Sequence, residues 1–535
     1  MPSSADIIAR RLYDAGCRQA FGIPGGEVLE LMDGFKRAGI DFVLVKHENS
    51  GGFMAEGTHH FTKAPCVLLA TVGPGVANAV NAVVNAYQDQ VPLIYITGCV
   101  DANVAQTYTH QVFDHCELLK SVTKASFTLA DGAVDIIIDK AVAIAMDGKP
   151  GPVHIDVPIS LATIDQNIPI PVRRVTPAIS GPVESLELSM ARNALIEAKR
   201  PLMIAGVEVL HHGSSQDVVN FCHKFQMPLL TTYKAKGILP EDNVLALGAV
   251  GLSPKADKIF LPMISESDLI ILVGYDPIEM RSSWVNVWGP NKSVIEFSDG
   301  PNTHYAHQAS MSFVGHVGAG LNALSCGVTT KEIWPGNSPS EVRAVHKKAF
   351  AGDGNWGPHT IIATARLAMP RNTIAAVDTG AHRILLSQAW ECYEPRGLMQ
   401  SSALCTMGVA LPLALGRKLA EPDRPVIVFC GDAGMEMVLG ELATARDQKL
   451  AIPIIVFVDD SLALIELKQR SSGYDNLGVD FGRTDFAAVG YAMGGVGVTI
   501  TDEIALKDEL LKAQLRNTFT LMACPIERSA YDGNI

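Results

Sequence analysis

The 535-residue chain lacks the features that mark several large classes of protein. Its ten cysteines form no Cys-x-x-Cys pair, so neither a zinc site nor a dithiol redox site is indicated. The apolar runs are of strand length and stop well short of the ~20 residues that a membrane-spanning helix needs. Lys and Arg number 43 against 56 Asp and Glu, and this net charge of −13 argues against a nucleic-acid partner.

Targeting and dinucleotide motifs are missing as well. The start at Met1 has no basic segment followed by an apolar one, so we expect no secretory signal. Scattered cysteines in apolar runs are typical of a reducing compartment, which predicts a cytoplasmic protein with no membrane partner. Residues 183–330 contain no Gly-x-Gly-x-x-Gly, which argues against a nicotinamide- or flavin-dependent enzyme.

The chain does contain alternating helix-like and strand-like segments throughout. A hydrophobic content of 48% with 19% charged residues is typical of a well-buried α/β protein. The length and the alternation predict an α/β fold with three doubly wound parallel-sheet domains, at residues 1–165, 183–330 and 355–535. The predicted linkers contain Pro158, Pro169, Pro171 and Pro177, then Pro335, Gly336 and Pro339.

Two predicted strands in the last third of the chain each end in a carboxylate. One is followed by Gly431-Asp432-Ala433-Gly434 and the other by Asp459-Asp460-Ser461. Ligands bind at the carboxyl ends of parallel strands, and neighbouring strands lie about 4.8 Å apart. Asp432 and Asp460 could therefore share one Mg²⁺, while the Gly-rich turn faces a phosphate. The alternative is an ordinary strand-to-helix turn in which Asp caps the helix.

The two acidic turns resemble the cofactor motif of thiamine-diphosphate-dependent decarboxylases. That family's signature is Gly-Asp-Gly, then a βα unit, then Asn-Asn or Asn-Asp. The resemblance implies that Mg²⁺ is bound by Asp432, Asp460 and the backbone carbonyl of Leu462. Ala433 replaces the third glycine of the signature, and we expect Gly434 to preserve the close backbone approach. Asp459 replaces the first Asn and adds charge.

The segment from Lys46 to Gly57 resembles the Arg-His-Glu-x-x-Ala-x-x-Met-Ala segment of the same family. The resemblance implies that Glu48 is catalytic: its carboxyl group bonds the aminopyrimidine N1′ of the cofactor and exchanges a proton with it. The alternative is a solvated carboxylate at a helix start, where the helix dipole favours it.

Three other segments resemble the family, namely Phe21-Gly22-Ile23-Pro24-Gly25-Gly26, Thr71-Val72-Gly73-Pro74-Gly75-Val76-Ala77-Asn78 and Met407-Gly408-Val409-Ala410-Leu411-Pro412. The resemblance implies that Met407 wedges the cofactor into its bent shape and that the carbonyl of Cys405 accepts from its 4′-amino group. It also implies that the first and third domains share a fold and bind the pyrimidine and the diphosphate, respectively. The cofactor-binding residues are predicted to be Pro24, Gly25, Gly73, Asn78, Asp378, His382, Cys405, Met407, Gly431, Ala433, Gly434, Leu464 and Ile465.

Within the superfamily, the chain resembles the catabolic, FAD-independent acetolactate synthase branch. The likeness lies in Thr109-His110-Gln111, in Gly274-Tyr275-Asp276-Pro277-Ile278-Glu279 and in Asp459-Asp460-Ser461. It implies that His110 and Gln111 lie near the reacting carbons. In the middle domain, strand-ending Gly206 and Gly274 suggest a vestigial nucleotide site, and Lys234, Lys236 and Arg281 are predicted on solvated surface.

The predicted activity is a thiamine diphosphate- and Mg²⁺-dependent decarboxylation of a pyruvate-like 2-oxo acid, with carboligation to a second carbonyl compound. The resemblance implies a homodimer or homotetramer with shared active sites. Three alternatives remain open: simple decarboxylation or another lyase reaction with the same cofactor, a diketone-cleaving enzyme, and a non-catalytic relative that only binds the cofactor. The sequence does not specify the 2-oxo acid, the acceptor or the choice between dimer and tetramer.

Overall fold

The computed structural model describes residues 1–167 and 180–535. They form three six-stranded sheets in which every strand pair is parallel, with helices between the strands. This confirms the predicted α/β class with three doubly wound sheets. Pro158 ends a sheet strand rather than lying in a linker, while Pro169, Pro171 and Pro177 fall outside the described residues. No helix in the described ranges is both long and apolar enough to cross a membrane.

The N-terminal unit contains the first sheet, with strand order β2-β1-β3-β4-β6-β5. Its strands are β1 (Gln19–Ile23), β2 (Asp41–Leu44), β3 (Cys66–Ala70), β4 (Leu93–Cys99), β5 (Ala125–Thr128) and β6 (Val153–Pro158). Its helices are α1 (Ser4–Asp14), α2 (Leu29–Ala38), α3 (Glu48–Thr62), α4 (Pro74–Asn78), α5 (Val80–Gln88), α6 (His115–Leu119), α7 (Val134–Met146) and α8 (Ile159–Ala162).

The middle unit has the strand order β12-β11-β10-β7-β8-β9. Successive strands are added on one side of β7 up to β9 and then on the other side from β10 onward, so the order of connection reverses between β7 and β10. Its strands are β7 (Pro201–Ala205), β8 (Leu229–Thr231), β9 (Ala246–Ala249), β10 (Leu269–Val273), β11 (Ser293–Ser298) and β12 (Met311–Val314). Its helices are α9 (Leu186–Glu197), α10 (Glu208–His211), α11 (Ser215–Phe225), α12 (Pro254–Glu266) and α13 (Val317–Ser325). At the reversal, a Cβ on Gly206 would lie 2.3 Å from the carbonyl oxygen of Gly274, so these glycines permit close backbone packing.

The C-terminal unit repeats the strand order of the first sheet, as β14-β13-β15-β16-β18-β17. Helix α14 (Ser338–Ala349) precedes it and includes Pro339 of the predicted second linker. The strands are β13 (Ile374–Val377), β14 (Leu398–Met399), β15 (Val426–Gly431), β16 (Pro453–Val458), β17 (Val496–Thr499) and β18 (Thr520–Pro525). The helices are α15 (Pro358–Ala368), α16 (Ala381–Ala389), α17 (Ala410–Ala420), α18 (Asp432–Glu436), α19 (Glu441–Asp447), α20 (Ala463–Ser472), α21 (Phe486–Ala492) and α22 (Glu503–Ala513).

The first and third units share one hydrophobic core, in which α3 packs against α17. Two glycines allow the helix backbones to approach closely. A Cβ on Gly57 would lie 2.2 Å from the carbonyl oxygen of Leu413, and one on Gly416 would lie 1.9 Å from that of Met54. Any larger residue at either position would push the two helices apart, so this contact fixes how the two units sit together.

Two lysines of the middle unit are buried, contrary to the prediction of solvated surface. Lys234 is 6% exposed and its Nζ lies 3.0 Å from an Asp89 carboxylate oxygen of the first unit. Lys236 is 2% exposed and pairs with Glu241 at 2.5 Å. A charged side chain is buried only where it is paired, and the partner of Lys234 lies in another unit.

Candidate cofactor site

The two acidic turns meet at the carboxyl ends of β15 and β16, which are neighbours in the sheet. Asp432 is 3% exposed, and one of its carboxylate oxygens accepts from the backbone N–H of Asp459 at 3.0 Å and of Asp460 at 2.8 Å. The other oxygen accepts from the N–H of Ala433 at 2.9 Å. Burial raises the pKa of Asp432 above its usual value, against the effect of these amides. The first turn is thus bonded directly to the second.

The second turn crowds further carboxylates beside Asp432. Burial and the neighbouring Asp432 raise the pKa of Asp459 to about 7, so this carboxyl adds less charge near neutrality than the sequence implies. Asp460 has a positive φ of 56°, and its carboxylate accepts from the Arg483 guanidinium at 2.5–3.1 Å. The sequence did not predict Arg483, because it lies in a segment without a motif. The carbonyl of Leu462 accepts from Ile465 and Glu466 at the start of α20.

This donor set fits a hard cation held together with phosphate oxygens. Carboxylate and carbonyl oxygens suit Mg²⁺, which is usually bound by one or two carboxylates plus the phosphates of a ligand. Among the described residues, no group of three or more His, Cys, Asp or Glu side chains is arranged to bind a metal by itself. The chemistry of the donors therefore favours a cation shared with a diphosphate over one enclosed entirely by protein.

A cavity of about 130 Å³ lies beside the two turns. Complete small-molecule sites typically measure roughly 300–1,000 Å³, so this cavity fits one end of a cofactor. Two polar atoms of its wall, Thr379 Oγ1 and His382 Nε2, are buried with no hydrogen-bond partner in the described part of the chain. The lining residues are Thr379, Gly380, Ala381, His382, Met407, Gly431, Asp432, Ala433, Gly434, Asp459, Ser461, Leu462, Ala463, Leu464 and Ile465.

His382 is neutral in this cavity, because burial lowers its pKa to about 3. Its ring stacks on Phe457 with the ring centres 5.7 Å apart. Glycines surround the ring: a Cβ on Gly380 would lie 2.4 Å from it, and one on Gly431 would lie 3.1 Å from it. The small residues at the two strand ends therefore make room for the imidazole as well as for a ligand.

Asp378 lies behind the cavity wall and does not line it. Its carboxylate is 1% exposed and accepts from the backbone N–H of Gly408 at 2.9 Å and of Val409 at 3.0 Å. Burial raises the pKa of Asp378 to about 6. A Cβ on Gly434 would lie 1.9 Å from an Asp378 carboxylate oxygen, so Gly434 is needed for this packing. The sequence had assigned Gly434 only to the approach of the cofactor.

The loop that follows β14 carries Met407 and Cys405. Met407 lines the cavity, whereas Cys405 does not. Cys405 has a positive φ of 58°, and its Sγ accepts from the Arg383 guanidinium at 3.3 Å. The predicted contact of the Cys405 carbonyl with the cofactor's amino group stays a prediction.

Glu48 begins α3 and is 4% exposed, which excludes the alternative of a solvated carboxylate. Its carboxylate accepts from the side-chain amide of Asn78 at 3.0 Å. A Cβ on Gly75 would lie 3.4 Å from the other carboxylate oxygen, so the turn after β3 covers this side chain. Two predicted site residues, Glu48 and Asn78, are thus in direct contact.

The other predicted residues of the N-terminal unit group around the same turn. Gly25, which follows Pro24 at the end of β1, contacts Thr71: a Cβ there would lie 2.1 Å from the Thr71 hydroxyl oxygen. Gly73 has a positive φ of 70°, and a Cβ there would lie 2.8 Å from the Cβ of Gln111. His110, next to Gln111, is exposed. None of these residues lines the 130 Å³ cavity, so one chain presents two separate halves of the predicted site.

A larger cavity of about 350 Å³ lies between the middle and C-terminal units. It contains none of the predicted site residues, and two of its lining charges, Lys347 and Glu391, pair with each other at 2.6 Å. The smaller cavity has the unpartnered polar atoms and the excess of carboxylates. Chemistry rather than size therefore identifies the candidate site.

Comparisons with known families match three separate parts of the chain. "Thiamine pyrophosphate enzyme, N-terminal TPP binding domain" matches residues 3–118, and "Thiamine pyrophosphate enzyme, central domain" matches residues 188–324. "Thiamine pyrophosphate enzyme, C-terminal TPP binding domain" matches residues 378–524. The first range contains Glu48, and the last contains Asp432 and Asp460.

The chain is also similar to curated proteins along nearly its whole length. It is 28% identical to the acetolactate synthase large subunit of Buchnera aphidicola, over 96% of this chain and 92% of that protein. It is 26% identical to the acetolactate synthase of Bacillus subtilis, over 98% and 93%. It is 29% identical to the acetolactate synthase isozyme 1 large subunit of Escherichia coli, over 87% and 83%. The chain therefore belongs to the thiamine-diphosphate-dependent enzymes and is similar to acetolactate synthases.

Proposed function

We propose that this enzyme decarboxylates a pyruvate-like 2-oxo acid and joins the remaining fragment to a second carbonyl compound, as the name of its acetolactate synthase relatives suggests. The observation that carries the proposal is the bonding of Asp432 to the turn of Asp459 and Asp460, beside a cavity with unpartnered polar atoms. Thiamine diphosphate, when bound, supplies a thiazolium ring that accepts the electron pair released as carbon dioxide leaves.

The C-terminal unit would hold the diphosphate end. Asp432, Asp460 and the carbonyl of Leu462 would bind Mg²⁺, and the cation would replace Arg483 as the partner of Asp460. The diphosphate would take the places opposite Thr379 and His382, whose polar atoms have no partner of their own. Among the described residues, no lysine or arginine lines this cavity, which favours a metal and neutral donors as the partners of the diphosphate.

The N-terminal unit would hold and activate the pyrimidine end. Glu48 is buried and its carboxylate is oriented by Asn78, so it can exchange a proton with a ring nitrogen in a place that water does not reach. His110 and Gln111 lie next to this half, and Gln111 contacts Gly73. We assign them to the substrate, where they would hydrogen-bond the reacting groups.

We further propose a homodimer or homotetramer in which each site combines halves of two chains. The wall of the cavity comes only from the C-terminal unit, and its volume of about 130 Å³ suffices for part of the cofactor only. Large apolar side chains near the N-terminal half are 42–46% exposed, and a second copy would cover them: Tyr87, Val104, Tyr108, Phe113 and Leu118. Domains at 1–165, 183–330 and 355–535 and a cytoplasmic location complete the proposal.

A panel of 2-oxo acids tests the reaction. The protein is incubated with thiamine diphosphate, Mg²⁺ and each acid, with and without an acceptor aldehyde or a second 2-oxo acid, and the products are identified by mass spectrometry. We expect carbon dioxide and a 2-hydroxyketone or 2-hydroxy-2-alkyl-3-oxo acid from pyruvate. Free aldehyde alone would establish a simple decarboxylase instead, and cleavage of a diketone supplied in a parallel incubation would establish the diketone-cleaving alternative. Absence of any turnover across the panel would refute the proposal.

A further inference from the structure

The loop of residues 402–409, which carries Cys405 and Met407, is held at both ends by buried carboxylates. Asp378 accepts from the amides of Gly408 and Val409 at the end next to α17. At the other end, Asp89 accepts from the amide of Ser402 at 3.2 Å and of Ala403 at 2.9 Å. Asp378 belongs to the same unit as the loop, whereas Asp89 follows α5 in the N-terminal unit.

Asp89 is 4% exposed and is paired with a lysine of the middle unit. Lys234 of the middle unit places its Nζ 3.0 Å from an Asp89 carboxylate oxygen and 3.4 Å from its backbone carbonyl oxygen. The backbone N–H of Lys234 is in turn fixed by Glu279, at 3.1 Å. The ammonium and two amides satisfy the Asp89 carboxylate, which makes burial of the charge tolerable.

We propose that Asp89 is a positioning residue for the cofactor-binding loop, and that Lys234 holds its carboxylate in place. The inference rests on the proposed role of Met407 as a cofactor contact. Met407 lines the cavity, and the backbone between Ala403 and Gly408 includes Cys405 with its positive φ of 58°. Two fixed ends hold this strained segment in one arrangement. A displacement of about 1 Å at a positioning group can cost 10²-fold in rate, so the loop needs such anchors.

The test compares Asp89→Asn and Lys234→Met with two matched controls. The amide of Asn can accept from only one of the two loop amides, and the Met removes the ammonium group that is paired directly with Asp89. Lys149→Met is the control for loosening the same two units, because Lys149 of the N-terminal unit pairs with Asp276 of the middle unit at 2.8 Å. Asp268→Asn is the control for the bonding pattern, because Asp268 also accepts from two successive amides, at 2.7 and 2.8 Å, away from the loop.

The readouts are the dissociation constant of thiamine diphosphate by calorimetry in the presence of Mg²⁺, kcat with the substrate found in the panel, and the melting temperature of each full-length protein. We expect Asp89→Asn and Lys234→Met to raise the dissociation constant at least about tenfold and to lower kcat by up to about 10²-fold. Both controls should stay within about twofold of the wild type, even if Lys149→Met melts earlier. If Asp89→Asn fails to fold, Lys234→Met decides on the same readouts.

Three results would overturn the inference. Wild-type affinity and kcat in Asp89→Asn would show that the loop does not depend on this carboxylate. An equal weakening in Lys149→Met would assign the effect to general loosening between the units. Failure of the wild-type chain to bind thiamine diphosphate would overturn the proposed function and this inference with it. If the wild type binds the cofactor, unchanged binding and kcat in the variants would overturn only the inference about Asp89.

Discussion

Replacing Glu48 with Gln should stop proton exchange while leaving the local structure intact. The carboxylate accepts from Asn78 at 3.0 Å, and the amide oxygen of Gln can accept the same bond in the same buried place. The change from a charged to a neutral acceptor weakens such a bond by about 1–2 kcal/mol, which limits the loss of cofactor affinity to about 5–30-fold. The removed acid–base function is worth about 10²–10⁴-fold in rate, or about 2.7–5.5 kcal/mol. Loss of turnover should therefore exceed loss of binding.

The assay follows the C2 proton of bound thiamine diphosphate as it exchanges with deuterium, by acid quench and NMR. We expect the exchange rate of Glu48→Gln to fall in parallel with kcat. Glu56→Gln is the matched control: it lies on the same helix, is 2% exposed and accepts from the side-chain amide of Asn85 at 3.0 Å. Exchange at the wild-type rate in Glu48→Gln, or equal slowing in both variants, would refute the reasoning.

Four further outcomes can be checked. Asp432→Ala and Asp460→Ala should lose thiamine diphosphate on gel filtration with Mg²⁺, whereas Asp460→Asn should retain most of it because the amide supplies the same oxygen. Mixing Glu48→Ala with Asp432→Ala chains should restore some activity, since mixed dimers contain one intact site. Gly416→Ala should lower the free energy of unfolding, measured by urea titration, by at least about 1–3 kcal/mol, because the added methyl group overlaps a carbonyl of α3. Burial lowers the pKa of His346 to about 4, so between about pH 6.5 and 4 the unfolded state binds a proton at this residue that the folded state does not bind. The contribution of His346 to stability should therefore fall by about 3 kcal/mol as the pH drops over this range.

Each of these outcomes has a control or a contrary result. Full cofactor retention in Asp432→Ala would refute the metal site. No recovery on mixing, with subunit exchange verified, would mean that each site forms within one chain. Gly289→Ala, where no atom lies within 4 Å of the added methyl group, should be neutral in the same urea titration. His346→Gln should make the fall in stability below pH 6.5 shallower, and an unchanged pH dependence would contradict the assignment.

The sequence predicted those features that depend on local pattern. The runs that became β15 and β16 are almost wholly apolar, and such runs form strands buried on both faces. The acidic turns follow the strand ends directly, so adjacency of the strands was enough to bring Asp432 to the turn of Asp460. The glycines of the first turn could be recognised, although the packing reason for Gly434 could not, because Asp378 reaches it from the end of another strand.

The features that the sequence could not predict depend on contacts between distant parts of the chain. Arg483 pairs with Asp460 from 23 residues away, in a segment without helical or strand periodicity. Lys234 and Asp89 are 145 residues apart, and a lone lysine is far more often exposed than buried. Local pattern therefore favoured the surface for Lys234, while the packing of three units produced a buried pair.

The identical strand order of the first and third sheets has a consequence for how such a site can change over time. The turn beside Glu48 follows the third strand of one sheet, and the turn with Asp432 follows the third strand of the other. An ancestral duplication of one scaffold would leave two equivalent pockets, each free to acquire different chemistry. One copy could then specialise in proton exchange and the other in anion capture. Substitutions that alter recognition at one end of the ligand need not disturb the other, which makes the two halves separately tunable in directed evolution.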